Sequence, residues 1–281
     1  DRTKAPCRGG LKLLHVMQLL SDDGRQCRWH SLEATGQAPG SIWHHVCGSF
    51  AKGKRVVVFG GDFERDDPEF EAIQNRALPA GSVYVLGVDE RAWSRVATSG
   101  PAPTWRSLHA GFTHRDVLSH SERLVILGGC SEHVPIFRSS DTLAEMHGHA
   151  LDLNTFRWVP QSAWSGADDE DESSRPAARL RFAAEKLGDW LLLYGGHGEQ
   201  ERIGETSRLH KLNLRTLRWS TVTVFGREGR YVAAPAATLT AGLVLGGVQF
   251  GMWGISTVPK LDVLALCAAP ESGSEERAEE E

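Results

Sequence analysis

An apolar run that ends in Gly-Gly occurs four times in this chain: VVVFGG to Gly61, LVILGG to Gly129, WLLLYGG to Gly196 and LVLGG to Gly247. After three of them a second apolar stretch arrives and then a tryptophan, in VYVLGVDERAW to Trp93, HALDLNTFRW to Trp158 and HKLNLRTLRW to Trp219. The last two share one phrase almost letter for letter, LDLNTFRW at 151–158 and LNLRTLRW at 212–219. An incomplete relative, CRWHSLEATG with Trp29, precedes the first Gly-Gly, so the tryptophans fall 64, 65 and 61 residues apart. A further stretch led by proline recurs at Pro39 (PGSIWHHV), Pro103 (PTWRSLHA) and Pro176 (PAARLRFA), and REGRYVAA keeps Arg230 with Arg227 in the place of proline. A period of this length marks a repeat architecture, and it constrains the fold more than any composition does.

Each unit reads as a proline-led strand, a strand ending in Gly-Gly, a third strand and a fourth bearing tryptophan. Four short antiparallel strands per unit, joined by turns and almost without helical periodicity, describe a blade of a β-propeller. The paired glycines (Gly60, Gly61, Gly128, Gly129, Gly195, Gly196, Gly246 and Gly247) supply positive φ and room for a neighbouring blade. The tryptophans Trp29, Trp93, Trp158 and Trp219 are expected between adjacent sheets. A tryptophan buries roughly 150–250 Å² there, or at most about 4–6 kcal/mol.

On the Gly-Gly and Trp pattern, which runs from residue 29 to about 266, the chain resembles the kelch-repeat propellers. Tyrosine is usual in the third strand of such repeats; here it stands only at Tyr84, with His149 and His210 in the corresponding places. The reading is an all-β kelch-type propeller of about four blades plus a partial N-terminal half-blade, part of a larger propeller protein and an open arc or strained ring. Residues 1–10 form a disordered or linker segment and 11–268 the propeller, divided at about 11–38 (partial), 39–100, 101–165, 176–225 and 227–268. Residues 269–281, ending AEEE, form a disordered acidic tail.

A net charge of −5 argues against a general binder of nucleic acid or anionic membranes, because both need a basic surface. The longest apolar run, LKLLHVMQLL at 11–20, is too short for a membrane span and is broken by Lys12, His15 and Gln18. The five cysteines (Cys7, Cys27, Cys47, Cys130, Cys267) are odd in number and never form a CxxC pair. Reduced thiols are therefore expected, and no asparagine lies in an N-x-[ST] sequon. Both features lean towards the cytoplasm or nucleus. The chain opens DRTKAPCRGG, with neither an initiator Met nor a signal peptide, as a segment from within a longer protein would.

In a propeller the strand 2–3 and strand 4–1 loops share one face, which usually binds. The segment 62–82 is acidic, with a short helix expected after Pro68, and the loop at 165–174 carries five consecutive acids, among them Asp168, Asp169 and Glu170. These acids read first as solvated charge on surface loops and second as an acidic rim that selects a basic partner peptide. Arg106, His109 and Arg179 lie on the proline-led strands, where side chains reach the central channel. They are expected first as structural hydrogen-bond donors and second as ligand contacts.

Asp141, Glu145 and His149 are spaced four apart. That spacing is similar to the E-x-x-x-D-x-x-x-H iron-binding loop of kelch-type specifier proteins, with Asp and Glu in reversed order. The resemblance implies a metal-dependent enzyme, whereas His149 in the strand position of the kelch tyrosine implies a packed core residue. FRSSD at 137–141 resembles a stretch in the kelch part of plant F-box and LOV receptors, which recruit substrates to a ubiquitin ligase. The chain contains no GxSxG elbow, HExxH or P-loop. The leading expectation is a non-catalytic module without cofactor that binds a partner protein through its loop face, a task that includes substrate adaptor of a ubiquitin ligase, and the alternative is the metal-dependent specifier-type enzyme.

Overall fold

The computed structural model describes residues 13–21, 25–40, 42–63, 81–115, 120–131, 146, 148–160, 175–180, 182–198 and 209–222. It also describes the backbone of 236–239, 242–245, 248–251, 254–257 and 262–265. Among these residues there is no helix, and the strands within each blade pair antiparallel.

The first blade pairs Val46–Phe50, Arg55–Phe59, Val83–Gly87 and Ala92–Val96 in chain order. The second pairs Ala110–Arg115, Glu122–Leu127, His149–Asp152 and Arg157–Trp158. The third pairs Ala183–Leu187, Trp190–Tyr194, Leu209–Asn213 and Trp219–Val222. A fourth shows three strands among the described residues, Ala236–Leu239, Gly242–Leu245 and Asp262–Ala265, with a hairpin of Val248–Gly251 and Gly254–Thr257 between the last two. At the N-terminal side Leu13–Leu19 and Cys27–Glu33 form a separate two-stranded hairpin. Its place in the repeat is that of a third and fourth strand.

The duplicated phrase is the turn between strands three and four. Asp152 Oδ1 accepts the N–H groups of Asn154 (2.9 Å) and Thr155 (2.8 Å), and Asn213 Oδ1 accepts those of Arg215 (2.9 Å) and Thr216 (3.1 Å). Each turn then closes through a residue at positive φ, Phe156 at 53° and Leu217 at 57°. An Asp or Asn side chain that mimics the backbone is what favours such a turn. The phrase thereby sets Trp158 opposite Leu151 and Trp219 opposite Leu212.

Each of these tryptophans faces the preceding blade. Trp158 is fully buried against Val46, Phe59 and Val85 of the first blade, and Trp219 packs with Leu127 and Met146 of the second. Trp93 packs with Leu14 and Ala34 of the N-terminal segment. A second contact repeats alongside. Thr35–Gly36 runs parallel to Ala92–Trp93 of the next blade, and Ser99 bridges Arg157 in the same sense. Gly100 permits the crossing: its φ is +83°, and a Cβ there would stand 2.6 Å from the Trp158 carbonyl oxygen.

Trp29 departs from the expectation of burial between sheets. It is 65% exposed, because the hairpin that carries it presents that face where a preceding blade would stand. Gly246 and Gly247 lie outside the described residues, as does the expected helix after Pro68.

Candidate functional site

The Gly-Gly pairs are kinks in continuous strands. In the first blade the ladder between strands one and two stops at Val46 and Phe59, skips His44–His45 and Gly60–Gly61, and resumes with Trp43 opposite Asp62 in unchanged register. Ser107 meets Cys130, and Leu180 meets His197, at the same places in the second and third blades. Both chains twist at the skipped residues, with positive φ at His44 (58°), Gly60 (72°), Gly61 (107°), Leu108 (57°), Gly128 (58°) and Gly129 (85°). Each of the three complete blades thus carries a short two-stranded extension beyond its kink. These extensions form a collar on the face from which the strand 2–3 and 4–1 connections leave.

On the first blade's extension Trp43 is exposed, and His44 Nδ1 lies 3.0 Å from Asp62 Oδ2. Beside it Trp105 of the next blade donates its indole N–H to the Gly61 carbonyl at 2.8 Å. Trp43, His44 and Asp62 were not singled out by sequence patterns. Their signal was positional: they flank the kink that the Gly-Gly repeat already marks.

Arg106 and Arg179 occupy equivalent positions and do equivalent work. Arg106 Nη1 donates to the Gly128 carbonyl (3.2 Å) and its Nε to Thr104 (3.3 Å). Arg179 Nη1 donates to Gly195 (3.0 Å) and its Nε to Ala177 (3.0 Å). Their own carbonyls accept the N–H of the second glycine in the preceding blade, Gly61 to Arg106 and Gly129 to Arg179, both at 2.9 Å. Each arginine therefore ties its own kink to the one before it. Both side chains are buried. Burial pulls the Arg106 guanidinium down to about 10, which leaves it charged at neutral pH.

His109 is buried with its ring edge over Gly60 and perpendicular to Phe59, at 5.7 Å between centroids. Neither ring nitrogen completes a well-formed hydrogen bond, and the Phe59 carbonyl interacts with the ring only weakly. Burial, helped by the neighbouring Arg106 and His45, lowers its pKa to about 3, and Asp62 and the Phe59 carbonyl oppose this weakly. His45, the same repeat position one blade earlier, is also lowered, by burial and by His44. In the third blade this position is Phe182, whose ring edge packs on Gly128.

His149 stands in the third strand opposite Ile126, as Tyr84 stands opposite Val58 and His210 opposite Leu193. The tyrosine-to-histidine correspondence is thus one of register. Asp141, Glu145, Asp168, Asp169 and Glu170 lie outside the described residues. Among the described residues no three His, Cys, Asp or Glu side chains are grouped to hold a metal ion.

The KLHDC2/KLHL20/DRC7 kelch-repeats domain matches residues 74–263, more than half of the chain. The chain belongs to the kelch-repeat family. Two similar proteins are acyl-CoA-binding domain-containing proteins 5 and 4 of Arabidopsis thaliana, each 27% identical. The matches cover 74% and 75% of this chain and 26% of each relative. Tip elongation aberrant protein 3 of Schizosaccharomyces pombe is 24% identical over 70% of the chain and 17% of its own length. The chain spans about a quarter or less of the length of these curated relatives. It is a kelch β-propeller interaction module.

Proposed function

We propose that this kelch module is non-catalytic and holds a partner protein on the collar face, with Trp43 and the His44–Asp62 pair at the contact. The observation that supports this is an exposed tryptophan beside the hydrogen-bonded His44 and Asp62 side chains, held on a hydrogen-bonded ladder. Aromatic residues on pre-ordered backbone are the usual anchors of interfaces, because little side-chain freedom is lost on binding. The acidic run from Asp168 to Glu172 adds a preference for basic partners. We assign the module the task of presenting that partner to a ubiquitin ligase, in the cytoplasm or nucleus, where the free thiols of Cys27, Cys47 and Cys130 stay reduced.

The test compares two faces. Cross-linking mass spectrometry defines the partner set, and its affinity is then measured for Trp43→Ala and for Lys52→Ala in the turn at the opposite end of the same strands. Truncating an anchor tryptophan costs about 2 kcal/mol, roughly thirty-fold in Kd. Trp43→Ala weakens binding by that factor and Lys52→Ala leaves it unchanged; equal effects on both faces sink the collar reading. Ubiquitylation of the bound partner falls in parallel with Trp43→Ala, and unchanged ubiquitylation removes the adaptor role while leaving the binding reading standing.

A further inference from the structure

Tryptophan rings in this protein are covered in different ways. Trp93, Trp158 and Trp219 are buried in the clusters between neighbouring sheets. Trp105 packs its ring on Phe59, at 5.6 Å between centroids. Trp190 is partly exposed on the second strand of the third blade, and there the chain supplies a cation of its own. Lys211, the diagonal neighbour on the adjacent strand, holds its Nζ 4.6 Å from the Trp190 ring centroid. Trp43 has none of these covers. It is 38% exposed, and among the described residues it makes no aromatic pair and carries no cation over its ring.

A carboxylate stands beside that ring instead. Trp43 and Asp62 are directly opposite each other on the antiparallel ladder of the first collar extension. Residues so paired share one face, with Cβ atoms about 4.5–5.5 Å apart. His44 Nδ1 donates to Asp62 Oδ2 at 3.0 Å and holds the carboxylate in place. The Asp62 side chain is only 13% exposed, so its charge acts on a neighbouring cation with less screening than a fully solvated acid has. The pairs at the same ladder position in the next two blades are Ser107 with Cys130 and Leu180 with His197. Neither sets an aromatic ring beside an acid, so the combination is peculiar to the first of the three complete blades.

An indole face attracts a cation through its ring quadrupole, and a carboxylate at its rim supplies the opposite charge. A guanidinium meets both at once: it lies flat on the ring and turns an N–H edge to the carboxylate. An ammonium is more strongly hydrated and has no plane to stack. The sequence from Asp62 to Glu71, DFERDDPEFE, has six acids and one arginine, a charge that draws cations towards this extension.

We propose, on the basis of the collar reading above, that Trp43 and Asp62 form a receptor for one arginine side chain of the partner protein. The guanidinium stacks on the Trp43 ring and donates to the Asp62 carboxylate. It takes the place over Trp43 that the chain's own Lys211 takes over Trp190.

The test uses the full chain and three tripeptides blocked at both ends, Gly-Arg-Gly, Gly-Lys-Gly and Gly-citrulline-Gly. Citrulline keeps the shape of arginine and removes its charge. Binding is followed by NMR on the Trp43 indole N–H, assigned by its loss in Trp43→Phe. The expected result is a saturable shift with arginine, with a Kd at least tenfold below that of citrulline and at least threefold below that of lysine. Equal affinity for arginine and citrulline, or for arginine and lysine, overturns the proposal, and this comparison needs no variant. Asp62→Asn should weaken the arginine peptide at least fivefold and leave the citrulline peptide within twofold; an unchanged arginine Kd places the cation elsewhere and overturns the site. The partner protein separates the two readings. If Trp43→Ala weakens the partner thirty-fold and Asp62→Asn leaves it unchanged, the collar reading stands and the arginine receptor falls.

Discussion

Replacing His109 with phenylalanine should make this propeller more stable, and the gain should grow as pH falls. The imidazole lies buried on Gly60 with two ring nitrogens that complete no well-formed hydrogen bond. A buried polar group left unsatisfied costs about 1–3 kcal/mol. Phe182 shows that the site one blade later accepts a phenyl ring in the same place on its glycine. At pH 7.5 His109→Phe should therefore gain about 1–2 kcal/mol. The acid side adds to this. The folded-state pKa is depressed to about 3, and the unfolded value is about 6.5. Between those values the unfolded chain binds a proton that the folded chain refuses, so the wild type loses stability as pH falls through about 6.5. From pH 7.5 to 5.0 the loss amounts to about 2 kcal/mol, at about 1.4 kcal/mol per pH unit below the unfolded pKa. His45 titrates in the same direction in both proteins and cancels in the difference. Urea denaturation of both proteins at pH 7.5 and pH 5.0 measures the effect. If the variant is less stable at pH 7.5, or if the gap between the proteins is the same at both pH values, the imidazole has a partner and the reasoning fails.

Other perturbations probe the repeat itself. Trp158→Ala should cost about 3–5 kcal/mol, since the ring is fully buried between blades and its Nε1 donates to Thr98 Oγ1 at 3.0 Å; chemical denaturation checks it. Arg179→Ala should cost about 3 kcal/mol by the same assay, because the buried Gly195 carbonyl loses a charged donor and the part-buried Ala177 carbonyl a second. Asp152→Ala should cost about 1–2 kcal/mol, the value of a side chain that caps a turn, and Asn should recover most of it, as Asn213 does the same work in the third blade. Gly53 and Gly100 have nearly the same φ, +80° and +83°, but a Cβ at Gly53 meets nothing within 4 Å. Gly53→Ala should thus lose only about 1 kcal/mol of backbone strain, and Gly100→Ala clearly more; equal melting temperatures would show that the parallel crossing contributes nothing.

The fold was legible because its devices repeat at the same offsets. An Asp or Asn followed by Thr and Trp writes the strand 3–4 turn twice in nearly the same letters, and Gly-Gly writes the kink. Each is a local solution to backbone geometry, so it leaves a local mark. Trp29 was misread for the complementary reason. Its letters match those of Trp93, but burial depends on what faces the ring, and the letters around Trp29 carry nothing about a neighbouring blade.

The collar was less legible because its contacts run between repeats. Arg106 reads equally well as a ligand-binding side chain and as a structural one until its partners are known, and those partners are backbone carbonyls, which any residue type can supply. What distinguishes the collar is variation inside a fixed frame. At one repeat position the chain places Ile42, Arg106 and Arg179; at another, Trp43, Ser107 and Leu180; at a third, His45, His109 and Phe182. The arginine ties two successive kinks together, and where Ile42 replaces it the first blade leaves that tie unmade and exposes Trp43 and His44 beside it. Function is best sought where the repeat stops repeating, because the positions that hold blade to blade are not free to change.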